Sequence, residues 1–384
     1  MMRRLAVLAA CLAACLLAAA RPARAQGTLG SQGFGYHGGE GSTRSRGTAG
    51  ALSEFDAAAP LNPASMLLIG RSIIVIQFEP EFRTTAVPGG STRTSVFRFP
   101  LFAAMIAVGP ESRGMVGVSA TSLFDGTWSI ADSGVQNIGG DTVTYRQLQQ
   151  SRGGMSDVRL AFAWKFSEKI RAGLGVHAIV GNSQLATTRN YRDSSQYVPA
   201  TIGASLRYWG KAISVGAEWT PFDRLTLAGS ARFGGSLSVS LTDSSRLVSG
   251  SVPARIGLSA RTDIAKGAQL TTAFTWNGWS AMRSMLQDPR GTQDAWDSAI
   301  GVESNGPVTF GLATVWRAGL SSRALPFGVG AAGVREANVA AGMSFFLSQG
   351  RSILDLALTR SQRSAAGGLS ESAWTMSVGL SILP

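Results

Sequence analysis

The chain is poor in the residues on which most reaction chemistry depends. Its 384 residues include two cysteines, two histidines and four lysines. Both cysteines, Cys11 and Cys15, fall within the first 25 residues, MMRRLAVLAACLAACLLAAARPARA. That stretch has a positive start, a short apolar run and an A-x-A step at Ala23-Arg24-Ala25, the pattern of a cleaved secretory signal peptide. The run is shorter than the ~20 apolar residues that a transmembrane helix needs. Leu8–Cys11 and Leu12–Cys15 resemble lipoprotein cleavage boxes, but apolar residues continue past Cys15, which fits cleavage after Ala25 better. A chain cut there has no thiol left, which excludes disulfides, thiol chemistry and Cys-based zinc sites.

The scarcity of histidine restricts acid–base catalysis in the same way. His37 lies in a glycine-rich segment, and His177 alternates with Arg171, Gly173 and Gly175 with no carboxylate nearby in sequence. Gly33-Phe34-Gly35 and the glycines at 38, 39 and 41 lack the Gly-Lys-Ser/Thr ending and the preceding strand of a phosphate loop. Asp125, Asp132 and Asp141 are too dispersed for a calcium loop. The sequence therefore points to no enzyme, no metal and no cofactor. Loss of the signal also removes Arg3, Arg4, Arg21 and Arg24 and lowers the formal net charge from +12 to +8. An exported chain rarely meets nucleic acid, so the excess arginine is expected at lipid headgroups or along a channel.

Two further absences concern shape. No stretch after Ala25 stays apolar for 18 residues, and no long segment keeps a 3.6-residue period. Helical membrane spans and helical or α/β folds are thereby excluded.

What is present is a period of two. Val158, Leu160, Phe162, Trp164 and Phe166 share one face, with Arg159, Ala161, Ala163 and Lys165 on the other. Ile170 to Val180 repeats the scheme with Arg171, Gly173, Gly175 and His177 opposite, as do Leu270–Trp276, Val308–Trp316 and Trp374–Ile382. These segments run about 10–15 residues, longer than the ~5–6 of globular strands. Their second face is small and polar, and aromatics such as Trp164, Trp219, Trp276 and Trp374 gather near their ends, as in an interfacial girdle. In a bilayer every backbone polar group needs a partner, so such strands persist only in a closed barrel.

The connections supply a strand number. Tight turns are expected at 109–113, 167–169, 221–224, 263–267, 305–306 and 349–350, and longer links near 86–93, 131–153, 190–196, 243–250, 281–295, 320–336 and 363–371. Six short and seven long links join fourteen antiparallel strands. Residues 197–220 read as one strand with a bulge at Gly210, because a single-chain bacterial barrel has an even strand number. The expected organisation is a signal peptide at 1–25, an N-terminal hatch or plug at 26–65 and a barrel at 66–384. The plug reading is preferred to a disordered arm because Phe34, Tyr36, Leu52, Phe55 and Leu61 are spaced through the segment.

Asn62-Pro63-Ala64 stands at the seam between plug and barrel. Proline fixes φ and holds its predecessor extended, so the tripeptide is expected to form a rigid hatch corner. In context it resembles a family signature. Arg46–Ala51, Glu54-Phe55-Asp56 and Leu61–Ser65 resemble the N-terminal signature of the FadL/TodX outer-membrane channels for hydrophobic compounds. Thr275-Trp276-Asn277-Gly278-Trp279-Ser280 is similar to that family's Trp-x-x-Trp-Ser step, Asp294–Trp296 and Ala299–Glu303 fit the strand that follows, and Arg317-Ala318-Gly319 is similar to its Arg-x-Gly step. The likeness spans roughly 45–70 and 250–384. The chain departs from the usual aromatic C-terminus, finishing Ser381-Ile382-Leu383-Pro384.

The resemblance implies a fourteen-stranded barrel with a lumenal hatch and passive uptake of a hydrophobic small molecule such as a long-chain fatty acid. It further implies lateral release through an inward kink in the third strand, here expected at Asp125-Gly126. Expected partners are that ligand, outer-membrane lipid and lipopolysaccharide, and the barrel assembly machinery. Phe34, Phe55, Arg159, Arg171, His177, Arg232 and Arg317 are candidate lumen contacts, although for any one arginine the balancing of other lumen charges is the more expected role. Two rival functions stay open, a protein-binding barrel of a secretion system docking through 131–153 or 320–336, and a non-specific structural barrel or porin.

Overall fold

A computed structural model describes residues 28–38, 40–59, 61–87, 90–192, 196–242, 246–286, 292–329, 332–365 and 369–383. The signal segment and its cysteines lie outside the described residues, as do the tips of several links. No helix among the described residues is long and apolar enough to cross a membrane.

Fourteen strands form one antiparallel sheet. They are β1 (Ile73–Val87), β2 (Gly90–Val108), β3 (Gly114–Asp125 continuing as Trp128–Ile138), β4 (Asp141–Lys165), β5 (Ile170–Tyr191), β6 (Ala200–Phe222), β7 (Leu225–Leu241), β8 (Arg246–Ser251 continuing as Arg255–Ala265), β9 (Ala268–Asn277), β10 (Ala295–Asn305), β11 (Thr314–Val329), β12 (Ala332–Leu347), β13 (Ser352–Ser364) and β14 (Ser370–Ile382). Each pairs with its neighbour in sequence, and β14 pairs with β1 from Ile382↔Ile74 to Ser370↔Ala86, which closes the barrel. Closure removes the free edges that no bilayer could satisfy.

The period-two pattern sorts side chains as expected. Leu160, Phe162, Leu174 and Val176 are exposed outward, while Asp157, Arg159, Ala161 and Ala163 are buried inside. The 200–222 segment is a single strand, with a register shift between Gly210 and Ala212 against β7. The odd residue there is absorbed as a bulge, so strand parity is kept.

Three connections differ from the sequence reading. The stretch 131–153 is a hairpin of β3 and β4 joined at Gly139-Gly140, and 320–336 lies largely within β11 and β12. Their outward residues are polar, as Arg146, Arg152 and Arg335, while inner ones such as Val143, Leu325, Phe327 and Val334 are buried, so hydrophobic alternation of the outward face fades while the ladder continues. The turn expected at 305–306 is longer: β11 begins at Thr314, and residues 306–313 form a small loop with a Thr309↔Leu312 bridge.

The N-terminal segment, residues 28–68, packs against the inner wall. It contains a short helix (α1, Thr43–Gly47) and 3-10 turns at Thr28–Ser31, Ser53–Phe55 and Pro63–Leu68. Asp56 braces it internally, accepting from Ser42 N at 2.7 Å and from Ala58 N and Ala59 N. The wall receives it at glycines. A methyl group on Gly319 would lie 2.2 Å from Thr48 O, and one on Gly216 would lie 2.0 Å from Asn62 Oδ1. At these positions only a missing side chain permits the approach.

Candidate functional site

The wall is interrupted in β3. Up to Ser122 its residues alternate between a buried and a more exposed face, but Leu123, Phe124, Asp125 and Gly126 are all buried. Both faces are covered because the chain turns into the lumen there. Leu123 is the odd residue in the register with β4, where Ser122↔Ser156 is followed by Phe124↔Met155. Asp125 fixes the turn: its Oδ1 accepts from Thr127 N at 3.0 Å and its Oδ2 from Arg98 Nε at 2.8 Å. Gly126 N donates to Gly153 O at 3.0 Å.

The turn separates β3 from β2. The two strands pair only from Leu101↔Thr121 to Val108↔Gly114. Beyond that point residues 90–100 pair with β1 alone, and Trp128–Ile138 pairs with β4 alone, among the described residues. Pro100 stands at the separation and has no N–H to offer the ladder. Outside the separation Phe78, Phe82, Phe97 and Phe99 form an aromatic lip, with Phe78–Phe99 centroids at 5.1 Å and Phe82–Phe97 at 6.4 Å.

Inside, the N-terminal segment occupies the edge that β2 leaves. Tyr36 and His37 pair with Asp125 and Phe124, and Gly38 N donates to Leu123 O at 3.0 Å. Gly35 has φ +91° and would place a methyl 2.2 Å from Asp125 O, so a glycine is required there on two grounds.

Two environments meet at His37. On one side lies an apolar cluster in which Phe34, Phe124, Tyr208, Trp279, Met282 and Leu237 converge. Phe124–Trp279 centroids are 4.7 Å apart, His37–Trp279 4.8 Å and Phe34–Phe124 5.9 Å. On the other side is a polar cavity of about 150 Å³, lined among others by Tyr36, His37, Glu40, Asn277, Asp297 and Arg323. His37 Nε2, Asn277 Oδ1 and Asp297 Oδ1 have no hydrogen-bond partner in the protein. Burial holds the His37 pKa down at about 4, with Arg323, Arg232 and Arg46 acting in the same direction against Glu40.

The candidate residues separate into distinct places. Asn62 is fully buried: its Oδ1 accepts from Ala64 N at 3.0 Å, and its Nδ2 donates to Ala217 O at 3.2 Å and Glu54 O at 3.3 Å. Pro63 and Ala64 begin the 3-10 turn that follows. Asp125, Gly126 and Phe34 meet at the wall break. Phe55 is remote from it, packed with Leu52 and Ala228 beneath Arg261 at 4.4 Å.

The arginines are engaged by carboxylates. Arg171 pairs with Glu218 at 3.1 Å, and Arg317 with Glu303 at 2.6 Å. Arg232 bridges Glu40 at 3.0 Å and Asp157 at 3.2 Å, and Arg159 lies 3.9 Å from Asp157. Glu40 lies below the usual carboxylate range: burial pushes it up, but Arg232, His37 and Arg255 outweigh that.

His177 is not isolated from carboxylates. Its Nδ1 lies 2.8 Å from Asp157 and its Nε2 2.8 Å from Ser214 Oγ. Asp157 is twenty residues away in sequence but sits on the neighbouring strand, where Asp157↔Ile179 places it beside His177. The order Ser–His–Asp is that of a hydrolase triad. Here Asp157 also carries Arg232 and Arg159, and Ser214 is 2% exposed, so the group works as a buried lumen network. Tyr36, His37, Glu40, Glu54 and Ser214 had no periodic signal in the sequence; Trp279 was visible only within its Trp-x-x-Trp-Ser step.

The fold is thus a closed fourteen-stranded barrel with a break in its third strand, bridged from inside by the N-terminal segment. Solved structures with this fold include a Pseudomonas aeruginosa FadL homologue (13% identity, covering 91% of this chain and 99% of that one, TM-score 0.62). The Ralstonia pickettii toluene transporter TbuX is similar over 90% of this chain and 98% of its own (14% identity, TM-score 0.59). The Pseudomonas putida toluene transporter TodX is similar over 84% and 93% (14% identity, TM-score 0.52). No family model matches the sequence, and no curated protein matches it.

Proposed function

We propose that the protein is an outer-membrane channel for passive uptake of hydrophobic small molecules that carry a polar end, such as long-chain fatty acids. On this reading residues 28–68 act as the hatch, and release is lateral, through the break beside Gly126. Residues 1–25 are removed on export, and surrounding lipid, lipopolysaccharide and the assembly machinery are its other partners.

The observation that carries the proposal is the junction at His37. An apolar cluster and a polar cavity share one side chain directly inside the break. Burying an alkyl chain contributes about 25 cal/mol per Å²; beside it the unpaired His37 Nε2 can donate to a carboxylate, and the free oxygens of Asn277 and Asp297 can accept from a protonated carboxyl or a hydroxyl. A channel for plain hydrocarbons has no use for that polar side. The direct test is mass spectrometry of lipid retained by the purified protein, together with uptake of radiolabelled oleate and toluene by a deletion strain carrying the gene. Oleate uptake restored more than toluene uptake supports the reading. Equal restoration of both, or of small hydrophilic solutes, would assign a non-specific porin, and co-purification of a secreted protein without lipid would assign a secretion barrel.

A further inference from the structure

We propose that the outward face of β4–β6, just beyond the apolar belt, is a docking site for the phosphate groups of an anionic saccharolipid of the outer leaflet. This rests on the outer-membrane reading above.

The argument starts from strand parity. On β4 the outward residues are even-numbered, as exposed Leu160 and Phe162 show, so Arg152 and Arg146 also point outward. On β6 they are odd-numbered, as Trp209 and Ile213 show, so Arg207 and Lys211 point outward. All four cations are exposed. Further round the wall, exposed Arg93 and Arg335 face outward as well, the first paired with Thr84 and the second next to buried Glu336.

No carboxylate shares this face of the strands among the described residues. Glu79, Glu81, Asp157, Glu218, Glu336 and Glu371 are all buried on the lumen side. At the opposite end of the barrel the short turns mix signs, with Glu111, Glu168, Asp223 and Asp263 beside Arg113, Lys169, Arg224 and Lys266. The exposed carboxylates described near the arginine end lie off this face: Asp132 pairs with lumen-facing Gln147, Asp141 stands at the β3–β4 hairpin turn, and Asp294 accepts from Ser280 N.

The register places two of these cations together. Arg152 is opposite Gln184 on β5, and Asn182, two residues along, is opposite Arg207 on β6. The two arginines therefore flank β5, about 12 Å apart for two strand spacings and a two-residue offset, with the exposed amides of Gln184 and Asn182 between them. Counted from Lys165, Arg152 lies just past the ~10 residues that cross hydrocarbon. Trp209, 58% exposed, is the next outward residue below Arg207. Acyl chains lying against the belt would bring a phosphorylated sugar level with the arginines. That continuity selects a lipid over a soluble anion or an acidic protein.

The test uses the full-length protein in detergent and titrates bisphosphorylated lipid A, with dephosphorylated lipid A and inorganic phosphate as comparison probes. Each cation near an anionic lipid surface is worth about fivefold in affinity. Arg152→Gln/Arg207→Gln should therefore bind bisphosphorylated lipid A about 25-fold more weakly. Arg152→Lys/Arg207→Lys should keep most of the affinity, and raised salt should weaken the native protein. Equal affinity for the dephosphorylated lipid, an unchanged Gln variant, or displacement of lipid A by inorganic phosphate at comparable concentration would each overturn the proposal. Heat-modifiable migration and oleate uptake are measured on the same preparations. If the barrel or transport reading were at fault, the native protein itself would fail them, whereas failure of the docking site leaves them intact.

Discussion

Asn62 is where the N-terminal segment can be unpinned with least disturbance to the wall. Replacing it with Ala removes three hydrogen bonds, to Ala64 N, Ala217 O and Glu54 O, all in a fully buried setting. At about 1 kcal/mol net for each, local opening of the corner, which breaks the wall bond to Ala217 O together with the two bonds inside the segment, becomes easier by about 3 kcal/mol, about 100-fold in the opening equilibrium. Gly216→Ala attacks the same contact from the wall, since its methyl would lie 2.0 Å from Asn62 Oδ1 and 2.8 Å from Pro63 Cδ. The β6 ladder is unaffected by either change. Hydrogen exchange read over residues 43–68 should accelerate about 100-fold in Asn62→Ala and measurably in Gly216→Ala, with exchange in the barrel strands unchanged. The double variant should lose less than the sum, because removing Oδ1 relieves most of the clash, and a coupling of about 1–2 kcal/mol is expected. Unaltered exchange in the single variants, or additivity within ~0.5 kcal/mol, would refute the view that this contact holds the segment against the wall.

Other outcomes follow from the same network. Docking should weaken in acid. His37 is held neutral to about pH 4 in the docked state, so its contribution is complete above its free value of about 6.5 and declines as pH falls towards 4. At pH 5 the loss is about 2 kcal/mol, read as faster exchange over 28–59 after intrinsic-rate correction, and His37→Asn should flatten the response. Glu40, depressed by Arg232, adds its own loss in the same direction, beginning as pH falls through the free carboxylate value and complete below its docked value. Arg232→Met leaves Glu40 and Asp157 buried without their bridge and should cost about 3–5 kcal/mol. Arg159→Met should cost less, since Arg159 reaches Asp157 only at 3.9 Å whereas Arg232 bridges two carboxylates at 3.0 and 3.2 Å; urea midpoints of the two variants would decide, and equal losses would count against this ranking. Pro63→Gly should loosen the corner and raise leakage of small dyes into cells, and unchanged permeability would argue against gating there.

The barrel was legible because its solvent writes directly on the sequence. Hydrocarbon outside and a polar lumen inside demand a period of two, and strand parity even selected one strand rather than two for 200–222. The same logic failed where the solvent changes. In 131–153 and 320–336 the outward residues turn polar, as at Arg146, Arg152 and Arg335, while Leu325, Phe327 and Val334 are buried with Leu29 and Tyr36 of the N-terminal segment, so the pattern there resembled loops although the ladder continues. Of the candidate residues, those singled out by backbone geometry, Asn62-Pro63 and Asp125-Gly126, lie at the start of a 3-10 turn and at the break in β3. The His177 network was misjudged because Asp157 and Ser214 reach it across the sheet, through register that no local window contains.

By itself, then, the chain determined which face of each strand meets lipid and how many strands close the wall, since both follow from local alternation. Which carboxylate neutralises which arginine, what fills the edge that β2 abandons, and where apolar and polar lumen meet were decided only by the closed sheet. Those contacts join residues hundreds apart, such as Tyr36 and Glu371 at 2.8 Å, and pairings of that range arise when barrel closure brings the wall around the N-terminal segment.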